Sequence, residues 1–343
     1  MVIHTMHEMI FSDSLFTSQV NVSCLFSSQE VQGLTGHAPE EEHVHLCEPS
    51  RELQCSKTSA EDFSVLMSVY YKESPTFFRA SLKSLYEQTL PLSELIVVCD
   101  GPLTKELDEV LSDYQKLFKE RMKVVRLEKN GGLGNALNIG MEHCSYGLVA
   151  RMDSDDIAFP ERFEKQIGFM SEHPEVDVLS STLAEFNKDC SEVYSLRVLP
   201  EEHEALKRFA KWRSPANHPS VVFRKEKVIE AGGYQHFYLF EDYYLWVRML
   251  MKGAHFHSLS EPLLYFRMNK EAFTRRKGKP YIQSEYKLQK AFLNMGFITR
   301  LQYIRNVIFR TLPRLLPTKW LMQFYHRFLR NSKSLQEKQS LPI

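Results

Sequence analysis

The 343-residue chain lacks any long, uninterrupted hydrophobic stretch. No segment reaches the roughly 18 consecutive apolar residues of a membrane-spanning helix. The N-terminus also lacks the basic and then apolar layout of a secretion signal, because His4, His7 and Glu8 precede only a broken apolar stretch. These absences argue against spanning helices and against export by the usual route, and we expect the protein in the cytoplasm.

The chain also lacks an excess of charge of either sign. Lys plus Arg and Asp plus Glu each number 43, so the formal net charge is zero. No overall field would attract a nucleic acid, and none is expected as a partner. The six cysteines show no CxxC spacing, which favours reduced thiols over a disulfide framework. Apolar residues make up 43% of the chain, which is enough for a substantial core.

Residues 1–61 show no sustained hydrophobic period and are rich in Ser, Glu, His and Gln. This composition predicts a disordered leader. His43, His45 and Cys47, with His37 nearby, could hold a metal, but the second half of a zinc site is missing. The composition changes at Phe63, and we expect one α/β domain over 62–268 and a basic helical region over 269–343.

From Phe63 onward, segments typical of strands and helices alternate. The strands are "FSVLMSVYY", "ELIVVCD", "KVVRLE" and "YGLVARMD", with helices between them. This alternation predicts an α/β fold with a mostly parallel central sheet flanked by helices. Further along, the pattern predicts helices at 159–172, 201–212 and "FEDYYLWVRMLMKG", and strands at 176–186, 193–199 and "PSVVF". Because ligands gather at the carboxyl ends of parallel strands, the polar loops 68–73, 100–102 and 153–156 should meet in one cleft.

Three carboxylates lie within four positions at the end of the fourth strand: Asp153, Asp155 and Asp156. Charges this close need a positive partner or free hydration. Side chains two apart in an extended segment face the same side, so Asp153 and Asp155 can bind one hard cation, Mn²⁺ or Mg²⁺, which would hold a diphosphate. A solvated acidic turn is the alternative.

Other ligand-binding motifs fail on position. An EF-hand loop that begins at Asp153 would need Gly where Ala158 stands. A dinucleotide fingerprint that begins at Gly132 and Gly134 would need Gly where Leu137 stands. No GxxxxGK[ST] phosphate loop occurs anywhere in the chain.

Four ordered stretches carry a resemblance to a known family: "FSVLMSVYYKE", "LIVVCDGP", "VVRLEKNGGLGNALNIG" and "YGLVARMDSDDIAFPERFEKQ". They resemble the nucleotide-sugar half of the inverting family-2 glycosyltransferases with the GT-A fold. The resemblance continues through "NHPSVVFRK", "AGGY" and "FEDYYLWVRM", and so covers about residues 62–268. It is closest to bacterial enzymes of capsule, exopolysaccharide and O-antigen lipopolysaccharide assembly, including amylovoran-type transferases. It implies a GT-A domain with a C-terminal helical appendix, and metal-dependent transfer of a sugar from a nucleotide-diphosphate donor to a glycan or lipid-linked acceptor.

The resemblance also assigns roles to single residues. Asp155 matches the direct metal ligand of the DxD motif, and Asp153 faces the ribose or the metal. Asp242, in "FED", falls where the family has its catalytic base, and Glu241 is its rival. The expected donor-binding positions are Val69, Tyr71, Glu73, Asp100, Asn130, Gly132, Asn135, Asp153, Ser154 and His218.

The roles of the metal and the base also follow from the chemistry of the transfer. The leaving diphosphate gains negative charge, which a cation can absorb, and the attacking hydroxyl must lose a proton to a carboxylate. A carboxylate in the first turn of a helix also suits the helix dipole, which is an ordinary structural reason for Glu241 and Asp242. His218 could reach the diphosphate or the acceptor, although a lone His before a strand is more often structural.

The chain departs from the family pattern at Ser68 and Tyr71, where Pro and Asn are frequent, and at Cys99, where the family often has a second Asp. These departures concern which nucleotide base the donor carries, and not the reaction. No QxxRW signature of processive synthases occurs, so we expect one or a few sugars to be added. Two other classes remain open: a nucleotidyltransferase, which would need a Gly-rich loop where "SVYYKES" stands, and a non-catalytic nucleotide-sugar binding protein.

The C-terminal region, 269–343, is basic and apolar. Between Glu285 and Glu337 it contains no Asp or Glu and ten Lys or Arg. Cationic apolar helices broken by Pro313 and Pro317 are typical of peripheral contact with an anionic membrane, here the inner face of the cell membrane. Arg305 intrudes into the apolar side, so a helical appendix packed on the catalytic domain is the alternative.

Overall fold

The computed structural model describes residues 61–187, 190–268 and 278–315, with side chains to 311. The strands in these ranges are β1 (Phe63–Val69), β2 (Glu94–Cys99), β3 (Met122–Arg126), β4 (Leu148–Asp153), β5 (Ile157–Ala158), β6 (Val178–Phe186), β7 (Val193–Arg197), β8 (Val222–Arg224) and β9 (Phe256–Arg267). The α-helices are α1 (Pro75–Tyr86), α2 (Lys105–Phe118), α3 (Leu133–His143), α4 (Arg162–Glu172), α5 (His203–Phe209), α6 (Lys225–Glu230), α7 (Glu241–Met251), α8 (Gly278–Asn294) and α9 (Arg300–Leu315). The His and Cys cluster at 37–47 lies outside the described residues.

One sheet contains all of these strands, in the order β3-β2-β1-β4-β8-β6-β9-β5, with β7 paired to β6. Strands β3, β2, β1 and β4 are parallel, as the sequence predicts. The register pairs Val69 with Cys99 and Ser68 with Asp153. The carboxyl ends of β1, β2 and β4 therefore lie side by side, and the loops that follow them meet at one edge of the sheet.

The longest strand, β9, has 12 residues and was not predicted. It contains Pro262 and lies beside β6 in parallel, with register shifts on both sides of Thr182. Proline and an irregular register weaken the alternating pattern by which a strand is recognised in sequence. The predicted strand "PSVVF" is also shorter than expected, because His218–Ser220 form a 3₁₀ turn before β8.

The two faces of the sheet carry separate cores. Val65, Met67 and Val69 of β1 face the cluster that includes α1, α2 and α4, whereas Leu66 faces the cluster that includes α3 and α7. This alternation is the period of two expected of a strand that is buried on both faces. Strands β1, β2 and β4 are thus buried between helices, and the loops at their carboxyl ends are where their polar residues reach the surface.

The described part of the C-terminal region packs on the domain. Phe292 of α8 lies edge-on to Tyr243 of α7, with ring centroids 4.9 Å apart. Helix α9 continues through Pro313 to Leu315, so the prediction that this proline breaks a helix is wrong. No described helix is both long enough and apolar enough to cross a membrane, and the chain from 316 onward, including Pro317, lies outside the described residues.

Gly140 of α3 approaches the sheet closely. A Cβ at this position would overlap Cδ1 of Leu66 and lie 2.8 Å from Cγ2 of Val98. We expect Gly140→Ala to lower the free energy of unfolding by about 1–3 kcal/mol, because overpacking outweighs the helix preference of Ala, which is about 1 kcal/mol. Gly168 of α4 has no such neighbour within 4 Å. Gly168→Ala should therefore raise the free energy of unfolding by about 0.5–1 kcal/mol. Urea unfolding measures both, and equal effects would contradict the close packing of α3.

Candidate active site

The loops after β1 and β4 meet as expected. The Ser154 hydroxyl donates to Oε2 of Glu73 at 2.7 Å, and the Ser81 hydroxyl of α1 donates to the Asp153 carbonyl at 2.9 Å. Tyr71 is half-exposed beside this loop, with the Lys72 ammonium 5.5 Å from the centre of its ring. The side chain of Val69 is fully buried, so any contact of this residue with a nucleotide would come from its backbone.

The loop after β2 is bonded to the loop before α3. The buried carboxylate of Asp100 accepts hydrogen bonds from the backbone N–H of Gly131 at 2.7 Å and of Gly132 at 3.0 Å. The Asn130 side chain donates to the Asp100 carbonyl at 3.1 Å. Gly101 has φ +88°, and a Cβ there would lie 2.8 Å from the backbone N of Asn130. Asp100 therefore sets the shape of the 130–132 loop.

The predicted residues of that loop border the cleft. Asn130 and Asn135 are exposed, and Gly132 precedes the first residue of α3 with φ +87°. A Cβ on Gly132 would meet nothing within 4 Å. Glycine is therefore favoured there by the positive φ of the backbone and not by lack of space for a side chain. Asn130 and Asn135 are thus accessible to a ligand, and the donor contacts expected of them and of Gly132 stay predictions.

Three arginines lie among the acidic residues at the end of β4, and the sequence analysis missed them. Arg151 is fully buried and pairs with Oδ1 of Asp153. Arg162 of α4 is also fully buried and donates to the Arg151 carbonyl at 2.7 Å and to Gln166 at 2.9 Å. Arg267, the last residue of β9, donates from Nε to the Asp155 carbonyl at 2.9 Å. These guanidinium groups are the positive charge that the acidic cluster requires.

Arg267 is held in place by stacking. Its guanidinium lies 3.9 Å from the ring centroid of Phe77 and 4.4 Å from that of Phe186. Its backbone N–H donates to Oδ1 of Asp156 at 2.8 Å. No sequence signal pointed to Arg267, because β9 itself was not predicted. For Arg151, the signal was a lone charge inside the otherwise apolar "LVARMD".

Negative charge still exceeds positive charge around Asp155. Burial, together with the neighbouring carboxylates of Asp153 and Glu73, raises the pKa of Asp155 to about 7. Burial and the carboxylates of Asp155 and Asp153 also raise the pKa of Asp156, whose Oδ2 is buried without a hydrogen-bond partner. No group of three or more His, Cys, Asp or Glu in the described ranges is arranged to hold a metal by itself. The carboxylates of Asp155, and of Asp153 beside its pair with Arg151, nevertheless offer oxygen ligands that fit a divalent cation that takes its other ligands from water and a diphosphate.

The candidate bases begin α7, across from β4. Glu241 and Asp242 occupy the first turn of this helix. The Cγ of Glu241 packs on α3, 3.3 Å from the Cβ position of Gly134. Buried Tyr234 lies within the field of both Asp242 and Asp153, and burial together with these two charges raises its pKa. Asp242, the predicted base, and Asp153 of the DxD motif thus both act electrostatically on one buried tyrosine.

His218 lies beside the same tyrosine. Its Nε2 is 2.9 Å from the Tyr234 hydroxyl, and its ring packs edge-on against Trp246 with centroids 6.0 Å apart. Burial and the nearby Arg151 lower the pKa of His218 to about 3. The ring is therefore neutral at physiological pH and brings no positive charge to a diphosphate, and the donor contact predicted for it would have to be a neutral hydrogen bond.

Comparison with known proteins places the chain in one family. Residues 64–233 match the model of glycosyl transferase family 2. The chain is 43% identical over 267 residues to the amylovoran biosynthesis glycosyltransferase AmsE of Erwinia amylovora, covering 77% of this chain and 97% of the relative. It is 39% identical over 268 residues to the UDP-Gal:alpha-D-GlcNAc-diphosphoundecaprenol beta-1,3-galactosyltransferase of Escherichia coli, covering 78% of this chain and 96% of the relative.

Solved structures share the fold. TarS 1–349 of S. aureus in complex with UDP-GlcNAc superimposes with a TM-score of 0.52 at 20% identity, over 81% of this chain and 76% of that one. The mannosyltransferase PcManGT of Pyrobaculum calidifontis in complex with GDP-Man and Mn²⁺ superimposes with a TM-score of 0.53 at 18% identity, over 83% of this chain and 78% of that one.

The fold is therefore the GT-A fold of a glycosyltransferase, as the motifs predicted. The chain belongs to glycosyl transferase family 2 and is a transferase enzyme. The roles of single residues and the domain limits at 61 and 268 remain predictions.

Glu241 generates a pH-dependent prediction. Burial and the adjacent Asp242 raise the pKa of Glu241 from 4.5 to about 7. A raised pKa means that the folded state holds this proton more tightly, so the stability it contributes is complete below pH 4.5 and is lost as the pH rises through 7. When the pH rises from 4.5 to 8, the free energy of unfolding of the wild type should fall, and that of Glu241→Gln should fall by about 1–2 kcal/mol less. This range allows for the partial exposure of the side chain. Urea unfolding at both pH values measures this difference, and identical losses would contradict the burial of this carboxylate.

Proposed function

We propose that the protein transfers a sugar with inversion from a nucleotide-diphosphate donor to a glycan or lipid-linked acceptor in a metal-dependent reaction. The carrying observation is the pair of partly uncompensated carboxylates, Asp153 and Asp155, at the strand ends, with Asp242 across from them on α7. A leaving diphosphate and an attacking hydroxyl need these two kinds of group on opposite sides of the sugar.

Each residue has a defined task in this proposal. Asp153 and Asp155 would hold Mn²⁺ or Mg²⁺, which supplies charge neutralisation for the departing diphosphate. Asp242 accepts the proton of the acceptor hydroxyl, and Asp100 keeps the 130–132 loop in place over the nucleotide. Tyr71 offers the half-exposed aromatic face beside Glu73.

The relatives support a role in bacterial surface polysaccharide synthesis. One is named for amylovoran biosynthesis, and another for transfer of galactose to a diphosphoundecaprenol-linked sugar. The structural neighbours were solved with UDP-GlcNAc and with GDP-Man and Mn²⁺. These names favour a nucleotide sugar over a nucleoside triphosphate, and so argue against the nucleotidyltransferase alternative.

Two substitutions test the assigned roles. Asp242→Asn should lower kcat by about 10²-fold to 10⁴-fold, because the proton acceptor is lost. Asp155→Ala should abolish transfer at every Mn²⁺ concentration, because a ligand of the cation that would neutralise the departing diphosphate is lost. The assay is thermal-shift screening of UDP-galactose, UDP-GlcNAc and GDP-mannose with Mn²⁺, followed by transfer from each donor that binds. Asp113→Asn, on the exposed side of α2, is the matched control. Wild-type turnover in both site variants would refute the proposal, and binding of every donor without any transfer would favour a non-catalytic binding protein.

The second proposed feature is peripheral contact with an anionic membrane through α9 and the residues that follow it. Leu301, Ile304 and Ile308 are 80%, 52% and 44% exposed on one side of α9, next to exposed Arg300 and Arg305. An exposed apolar row flanked by cations is typical of a surface that contacts anionic lipid.

Replacing Leu301, Ile304 and Ile308 by Ser should therefore reduce co-flotation of the full chain with phosphatidylglycerol vesicles by about 10-fold or more, given about 25 cal/mol for each Å² of apolar surface removed. Ile229→Ser, which removes a residue 58% exposed on α6, is the matched control. Unchanged flotation of the triple variant would contradict the membrane contact.

A further inference from the structure

The segment that leads into α7 adopts a backbone conformation that its surroundings must maintain. Leu239 has φ +63°, although it is neither glycine nor asparagine. The Phe240 N–H donates to the Phe237 carbonyl at 2.7 Å, which closes a tight turn directly before Glu241 and Asp242. Such outliers persist only where neighbouring structure holds them. The position of the proposed base therefore depends on what packs against residues 237–244.

Helix α8 makes these contacts. The Ser284 hydroxyl donates to the Tyr238 carbonyl at 2.7 Å. The ring of Tyr281 packs edge-on to Phe240, with centroids 5.1 Å apart. Phe292 packs in the same way on Tyr243, the residue after Asp242. One face of α8 thus contacts both sides of the Glu241–Asp242 pair.

A buried ion pair joins α8 to α9. The Glu285 carboxylate is fully buried, and its Oε1 lies 2.6 Å from Nε of Arg310. Nη2 of Arg310 donates to Oε2 at 2.9 Å, so one charge-assisted hydrogen bond strengthens the pair. Buried Gln289 and Asn306 extend the network, since Asn306 donates to Gln289 at 2.9 Å. Arginine is suited to this site because its planar fork matches a carboxylate.

The network ends on three consecutive carbonyls after α5. The Ala210 carbonyl accepts from the Tyr243 hydroxyl at 2.6 Å. The Lys211 carbonyl accepts from Asn306 at 2.8 Å, and the Trp212 carbonyl accepts from Nη1 of Arg310 at 2.6 Å. Carbonyls at a helix C-terminus carry partial negative charge and lack intrahelical partners, so a cation is stabilised there. Helices α7 and α9 are thus bonded to the same turn.

We propose that Glu285 and Arg310 are positioning residues for the base, and that α8 and α9 form a brace that holds the start of α7 at the cleft. This inference rests on the proposed function, in which Asp242 accepts the proton. The donor side of the site is built on β1, β2 and β4, where the brace makes none of these contacts. Loss of the brace should therefore slow the proton-transfer step without weakening donor binding.

The test compares Arg310→Met, Arg310→Lys and Ser284→Ala in the full chain. With UDP-galactose and Mn²⁺, Arg310→Met should lower kcat by about 10-fold to 100-fold, because small displacements of a reacting group have effects of this size. The KM for UDP-galactose should stay within about twofold, and Arg310→Lys should recover part of kcat. Amide hydrogen exchange should speed up at 237–244 and stay unchanged at 63–69 and 148–153. Ser284→Ala removes only the bond to Tyr238 and should show the same pattern more weakly, even if Arg310→Met fails to fold.

Lys290→Met, on the exposed side of α8, is the matched control. Wild-type kcat and exchange in Ser284→Ala and in a folded Arg310 variant would overturn the inference. A parallel loss of kcat, donor affinity and protection throughout the sheet would also overturn it, since this is general destabilisation. Asp242→Asn separates failure of the proposed function from failure of the brace. Full turnover of that variant, or no turnover of UDP-galactose by the wild type, refutes the proposed function or its donor. An inactive Asp242→Asn beside unaffected brace variants refutes only the brace.

Discussion

Burial of several carboxylates at the end of β4 is the constraint on which the rest of the site depends. Asp156 is fully buried, and Asp153 and Asp155 lie next to it. Ionised carboxylates are stable in such a place only with counter-charges that are themselves held in position. Arg151, from the same strand, supplies one counter-charge inside the sheet. A donor site of this kind therefore requires a core that tolerates buried arginine.

The other two counter-charges explain the topology beyond β4. Arg162 comes from α4, which crosses under the strand ends, and Arg267 comes from the end of β9, more than 100 residues along the chain from Asp155. Pairing of β9 with β6 in parallel carries Arg267 to the same edge of the sheet as Asp153. The second half of the domain thus does two things for the first half: it neutralises the carboxylates and it presents Asp242.

How much of the fold and the site could be predicted from the sequence depends on how far apart in the chain the interacting residues lie. The alternation of β1 to β4 with α1 to α3 is a local pattern, and so both the parallel sheet and the cleft at its edge were predictable. Neighbouring motifs gave the candidate residues for the same reason. Strand β9 was missed because Pro262 and an irregular register hide its period. Arg267 and the brace were missed because their partners are distant in sequence, and only the folded chain brings them together.

The balance of charge gives a reason for a cation that does not depend on the motif. Glu73, Asp153, Asp155 and Asp156 are four carboxylates, and Arg151, Arg162 and Arg267 are three guanidiniums, so one negative charge is unmatched when all are ionised. Burial first, and then the neighbouring carboxylates of Asp153 and Glu73, raise the pKa of Asp155 to about 7. A divalent cation would turn the excess of one negative charge into an excess of one positive charge, which favours an approaching diphosphate. The arginines alone would leave the site repulsive to a diphosphate, and a cation held by Asp153 and Asp155 would supply the missing positive charge.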